Sequence, residues 1–294
     1  MYDTWMFNSM NMQISATEQK WLDALFKECS THFRNIHLPS HNHYHHFRVW
    51  SYAKELILTL AASGIAFPDD LVEEIIFAVF FHDAGMSVTM DENHGKFSAE
   101  MFQDFIAGKT EQFAGNREEV YEAIESHDRK NYEEVPFEKA FDRRNILSTI
   151  LNISDDLDAF GYIGIYRYLE IYLMRGIQPD QLAGRVLMNL EKRFSNISST
   201  LGKIASFVNN HRSRYRKTVD FFNDLSETGF NADSSFAGPS GVVKLVRDQV
   251  IKKQTTLENI IESNEPAIQD EYVRNYLSNY RNEEYPFIIS YPNL

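Results

Sequence analysis

The ten histidines of this 294-residue chain are placed unevenly: all but His211 lie before residue 128, and four fall within His41-Asn42-His43-Tyr44-His45-His46. His82-Asp83 follows the apolar run Ile75–Phe81, and the acidic string Asp155-Asp156-Leu157-Asp158 follows a second apolar stretch. Neutral imidazole and carboxylate together suit zinc, manganese, iron and similar divalent ions, provided that several of them converge. Helical phase says which of them face inward, because side chains four apart stack on one side. His45 shares a face with Val49, Ala53 and Leu56, Asp155 with Leu147 and Leu151, and His127 with Val120 and Ile124. An inward carboxylate without a partner carries a large desolvation cost or becomes protonated. Several inward His and Asp residues in one domain are therefore explained most economically by a shared cation. Taken singly, each has a plainer reading: a hydrogen-bonded core histidine, a solvated acidic turn at 155–158, or a surface tract at 41–46 that meets metal incidentally.

The elements that must position these residues read as helices. Alternation of period two is absent and helical stripes recur. A capping box, Ser15-Ala16-Thr17-Glu18, predicts a first helix from Ser15. A loop over 38–42 precedes a second helix carrying His45, and a third ends at His82-Asp83. Further helices are predicted over 98–106, 117–127, 145–160 and 162–175, the last closed by Gly176 and Pro179. His94 falls in a polar stretch before the helix at 98, where a loop would carry it over the site. Long helical pattern continues over 181–225, turning basic at His211–Lys217, and Ser226–Gly241 reads as a loop. The expected division is an N-terminal segment 1–14, a metal-binding helical domain 15–180, a helical extension 181–225 and a C-terminal region 226–294, part helical and part irregular.

A net charge of −13 sets the chain against nucleic acids and anionic membranes, so neither is expected as a partner. An anionic substrate then needs a cation in its site. The single cysteine, Cys29, excludes an intrachain disulfide and fits a reducing, cytoplasmic setting. The first twelve residues lack the pattern of a secretory signal, and no apolar run approaches the length of a membrane span.

In order and rough spacing, these motifs resemble those of HD-domain proteins over about residues 40–176. His45-His46-Phe47-Arg48-Val49 matches the opening H-x-x-R-V, and Phe81-His82-Asp83 carries the His-Asp doublet that names the family. Ile124-Glu125-Ser126-His127 resembles the helix bearing a further histidine. Ser154–Gly161 resembles the final motif A-D-x-L-D-A-x-G of one bacterial branch. The resemblance implies an all-α, HD-type helical bundle with a helical C-terminal extension. In it His45, His82, Asp83 and Asp155 hold a divalent metal. Some members hold a second ion, and His94 and His127 match in type the positions of its added ligands, so one or two ions are expected. The metal would be manganese, iron, zinc, cobalt, nickel or magnesium. Met86 stands three residues after Asp83, where some single-metal nucleotidases of this kind carry a glutamate.

The family is mostly phosphohydrolase, which implies a metal-dependent enzyme acting on a small phosphate ester or nucleotide, with a homo-oligomer left open. Asp83 would bind metal and orient the attacking water. His94 or His127 would protonate the leaving oxygen or place the substrate where it is not a ligand. Arg48, Lys96, Arg129 and Arg167 are the candidates for holding phosphate. Asp158, one helical turn past Asp155, is expected to accept a hydrogen bond from a ligand histidine, with Asp156 as the alternative metal ligand. Two other readings compete: an HD-type diiron oxygenase and a non-catalytic module that senses a ligand or binds a partner.

Overall fold

The computed structural model describes residues 2–91, 93–109, 111–129, 135–231, 236–263 and 269–289, with backbone only for 2–5. Among them are thirteen α-helices and no strand. In chain order these are α1 (Tyr2–Phe33), α2 (His43–Ala62), α3 (Leu71–Phe81), α4 (His94–Ala107), α5 (Arg117–Ser126), α6 (Phe137–Ala140), α7 (Ile146–Asp158), α8 (Gly161–Met174), α9 (Leu182–Thr200), α10 (Ala205–Thr228), α11 (Gly238–Lys244), α12 (Leu257–Glu262) and α13 (Glu271–Ile289). No helix of the described residues is long and apolar enough to cross a membrane. The chain forms two compact units. One comprises Met1–Ile36, His41–Leu157 and Ser195–Asn210; the other comprises His37–Ser40, Asp158–Phe194 and His211–Leu294.

In the first unit α3 is the hub, packed against α1, α2, α4 and α5. Every residue of it is buried, including Glu73 and Glu74. Burying these acids is tolerable because each has partners. Glu73 accepts from Trp21 Nε1 at 2.5 Å and pairs with Lys20 at 3.0 Å. Glu74 accepts from the Asn116 amide at 2.7 Å and from Arg143 at 2.9 Å. A helix so enclosed cannot slide, so its C-terminal end, where His82-Asp83 begins, is fixed in space.

The first helix starts at Tyr2, not at Ser15, so Ser15-Ala16-Thr17-Glu18 lies inside a helix rather than at its start. Met10 and Ile14 are buried ahead of Trp21, and that upstream burial carries the helix past the capping signal. Helix α4 also begins early, with His94 as its first residue rather than in a preceding loop. The reason is a close backbone approach. The short 3₁₀ turn Ala84–Ser87 after the doublet packs onto α4, and the Gly85 amide donates to Ser98 Oγ at 2.8 Å. A Cβ on Gly85 would stand 2.1 Å from the His94 carbonyl oxygen.

In the second unit, α8 packs against α13. Glu283 of α13 accepts from the amide of Tyr162 at 2.6 Å and from Arg214 Nε at 2.7 Å, placing negative charge at the N-terminus of α8. The region beyond 226 is thus largely helical, with a π-helical turn over Leu245–Ile251. Of the loop expected over Ser226–Gly241, residues 232–235 lie outside the described residues, as does the tail 290–294. Glu170, fully buried on α8, accepts from the Ser40 amide at 3.0 Å, from the Ser40 hydroxyl and from Tyr166 at 3.1 Å. Burial pushes its carboxyl up to about 7, against the opposing pull of those donors.

Two outcomes follow for stability. Gly85→Ala must displace backbone, so a loss of about 1–3 kcal/mol is expected in denaturant unfolding, and an unchanged midpoint would contradict the close approach. For Glu170, a folded-state value above the unfolded one makes the neutral form favourable. Its contribution is present at low pH and is lost as pH rises from about 4.5 through 7, by up to about 3 kcal/mol. Glu170→Gln should therefore flatten the fall in melting temperature across that window, and parallel profiles for the two proteins would overturn the assignment.

Candidate metal centre

Six side chains from five places in the first unit converge. His45 comes from the first turn of α2, whose start is set by Asn42 accepting from the Tyr44 amide at 2.9 Å. His82 caps the C-terminus of α3, and Asp83 is the next residue. His94 opens α4, His127 caps α5, and Asp155 lies in α7. All six are buried.

They form two groups that share Asp83: His45, His82, Asp83 and Asp155 in one, Asp83, His94 and His127 in the other. In the first, the Nε2 atoms of His45 and His82 are 3.2 Å apart. Asp83 Oδ2 lies 3.3 Å from His45 Nε2 and 3.5 Å from His82 Nε2, and Asp155 Oδ1 is 3.8 Å from each. In the second, the Nε2 atoms of His94 and His127 are again 3.2 Å apart, and Asp83 Oδ1 lies 3.3 and 3.0 Å from them. The two oxygens of one carboxylate thus face two different imidazole pairs.

The orientation of the rings tests whether a cation fits. His82, His94 and His127 each direct Nδ1 to the backbone carbonyl three residues earlier: Val79 at 2.7 Å, Asp91 at 2.8 Å and Ile124 at 2.7 Å. A carbonyl only accepts, so Nδ1 carries the proton and, in the neutral ring, Nε2 presents a lone pair. Lone pairs facing each other at 3.2 Å cannot satisfy one another without a positive charge between them. Burial lowers the His82 pKa, but the carboxylates of Asp83 and Asp155 outweigh it and leave the net direction upward. Burial likewise opposes protonation of His94, and Asp128 and Asp83 overcome it, holding the imidazole at about 11. Asp83 is held well below the usual carboxylate range by His82, His127, His45 and His94, against its own burial. Each direction says the same thing: the site is built to hold positive charge. Imidazole and carboxylate donors in this ratio suit a first-row divalent ion.

The carbonyls of Val79, Asp91 and Ile124 fill, for these three rings, the acceptor role that sequence reasoning assigned to Asp158. Asp158 itself is fully buried and pairs with Arg167 at 3.2 Å. Asp156 is fully buried in α7. Of the candidate phosphate binders, Arg48 is buried on α2, Lys96 is exposed and 3.9 Å from Glu100, Arg129 is exposed in the 3₁₀ turn His127–Arg129, and Arg167 is buried on α8. Asp128 was not among the sequence candidates. Its carboxylate lies 3.0 Å from His94 Nε2 and 3.5 Å from His127 Nε2.

A helical unit with a buried His/Asp cluster at the end of a central helix could hold a metal ion. The HD domain family model matches residues 42–159, a span that holds all six clustered residues. No curated protein and no solved structure matches the chain.

A cation held only by the folded cluster must stabilise the fold. Metal-stripped protein is expected to gain about 2.7 kcal/mol when the ion is supplied at a hundred times its dissociation constant. His82→Ala should abolish that gain. A melting temperature indifferent to chelation and reloading would contradict the metal centre.

Proposed function

We propose that the protein is a metal-dependent phosphohydrolase that cleaves a phosphate ester or nucleotide with water. The observation that carries this reading is the sharing of the Asp83 carboxylate between two imidazole pairs, within a domain whose members are usually phosphohydrolases. His45, His82, Asp83 and Asp155 would hold a divalent cation, with Asp83, His94 and His127 offering a second position. Such a cation supplies Lewis acidity toward a phosphoryl oxygen and lowers the pKa of water toward neutrality.

The side chains do the rest. Asp83 is fixed by four imidazoles, so its carboxylate can orient a water without turning away. Where His94 or His127 holds no second cation, its Nδ1 bond leaves Nε2 as the atom that would receive, hold or return a proton at the leaving oxygen. The burial of the four histidines excludes bulk water from the reacting side, which strengthens every charge interaction there. Arg129, exposed two residues past His127, is proposed to meet substrate phosphate, and Lys96 and Arg48 are weaker candidates on their positions. The chain's excess of negative charge favours a small substrate over a polyanion.

The test is a panel of phosphomonoesters, phosphodiesters and nucleotides, offered to metal-stripped and manganese-reloaded protein, with phosphate and nucleoside products measured and oxygen uptake followed in parallel. One class of ester should be hydrolysed only by the reloaded protein, and Asp83→Asn should slow that reaction by more than about 100-fold. Oxygen consumption without hydrolysis, or hydrolysis unaffected by Asp83→Asn, would overturn the proposal.

A further inference from the structure

We propose that Asp128 is the fourth side chain of a second cation site, completed by Asp83, His94 and His127. The inference rests on reading the cluster as a metal centre and adds to it a residue that the family resemblance does not assign. Its first support is position. Asp128 Oδ2 lies 3.0 Å from His94 Nε2, and Oδ1 lies 3.5 Å from His127 Nε2, so one carboxylate spans both imidazoles of the second pair. Both rings have Nδ1 committed to backbone carbonyls, so both turn Nε2 toward that carboxylate. Two imidazole nitrogens and a carboxylate at these separations suit the surroundings of a cation.

The second support is repetition. With Asp128 included, the two halves have the same donors: two imidazoles 3.2 Å apart, the shared Asp83, and one further aspartate. The further aspartates differ in setting. The Asp155 side chain is 9% exposed and that of Asp128 is 54% exposed. The first site is closed and the second lies on the open side, where a position can be left for water or substrate, as catalytic sites require. The charge balance also suits an anion: three carboxylates against two divalent ions leave the centre one positive charge.

The local backbone explains why consecutive residues can both reach the cluster. The chain leaves α5 at His127 and enters a 3₁₀ turn over His127–Arg129. The tighter turn changes the angle between successive side chains, so a residue that α-helical phase would send elsewhere comes round beside His127.

The test is calorimetric titration of manganese(II) into chelated, full-length protein, with metal per chain measured independently by elemental analysis. Wild-type protein should take two ions. Asp128→Asn, which keeps the shape and removes the charge at a half-exposed position, should leave the first binding event unchanged and weaken the second by about 10- to 100-fold. Asp128→Glu should retain two ions. The electron paramagnetic resonance spectrum should show coupled manganese in wild-type protein and isolated manganese in Asp128→Asn. A wild-type content of one ion, or two ions with equal affinities in wild-type and Asp128→Asn protein, would overturn the role of Asp128 and leave the first site standing. Wild-type protein that binds no manganese and no other divalent ion would remove the metal centre itself.

Discussion

Asp83 follows a helix that is buried along its whole length, and each of its carboxylate oxygens faces a different pair of imidazoles. A carboxylate in that position is costly unless it is compensated, and four histidines supply compensation that a cation would complete. Much of the first unit can be traced to this need. Helix α3 is enclosed by its neighbours, so the doublet at its end is held where the other ligands can meet it. Gly85 lets the following turn lie against the backbone of α4, which brings His94 beside Asp83. Gly95 has the same use one step further on, where an added Cβ would stand 2.7 Å from the Glu125 carbonyl oxygen, so α4 and α5 pack closely and His127 arrives next to His94.

The cluster also shows how backbone, rather than more side chains, sets the state of the imidazoles. Three rings use the carbonyl three residues back, a device available wherever a histidine sits at or near a helix end. It fixes the tautomer and orients the ring without placing another charge in the interior. Val79 O serves twice, accepting also from His46 at 3.1 Å. His46 is kept neutral by burial and by the neighbouring His82 and His45. Of two adjacent histidines, one therefore reaches the charged cluster and the other ties α2 to α3.

Helical phase was enough to place His45 and Asp155 on inward faces, because each lies four residues from an apolar neighbour along a regular helix. The same rule failed where the helix ends. His94 begins α4 with no side-chain cap at Asn93 to mark the start, and the contact that defines it comes from Gly85. Asp128 follows His127 in a 3₁₀ turn, where the period of 3.6 no longer applies. The capping box at Ser15 was a sound local signal overridden by apolar residues upstream. Glu283 at the head of α8 was beyond reach, since its partner lies 121 residues away and no periodicity relates the two.

The central claim is that these residues surround a cation, and anomalous diffraction tests it most directly. Crystals equilibrated with manganese and measured at the manganese absorption edge should show a peak within roughly 2.0–2.3 Å of Nε2 of His45 and His82. A second peak, about 3.5–4 Å from the first on the side of His94 and His127, is expected with Asp83 between them. The absence of any anomalous peak at the cluster, under conditions where manganese binds elsewhere on the protein, would contradict the account.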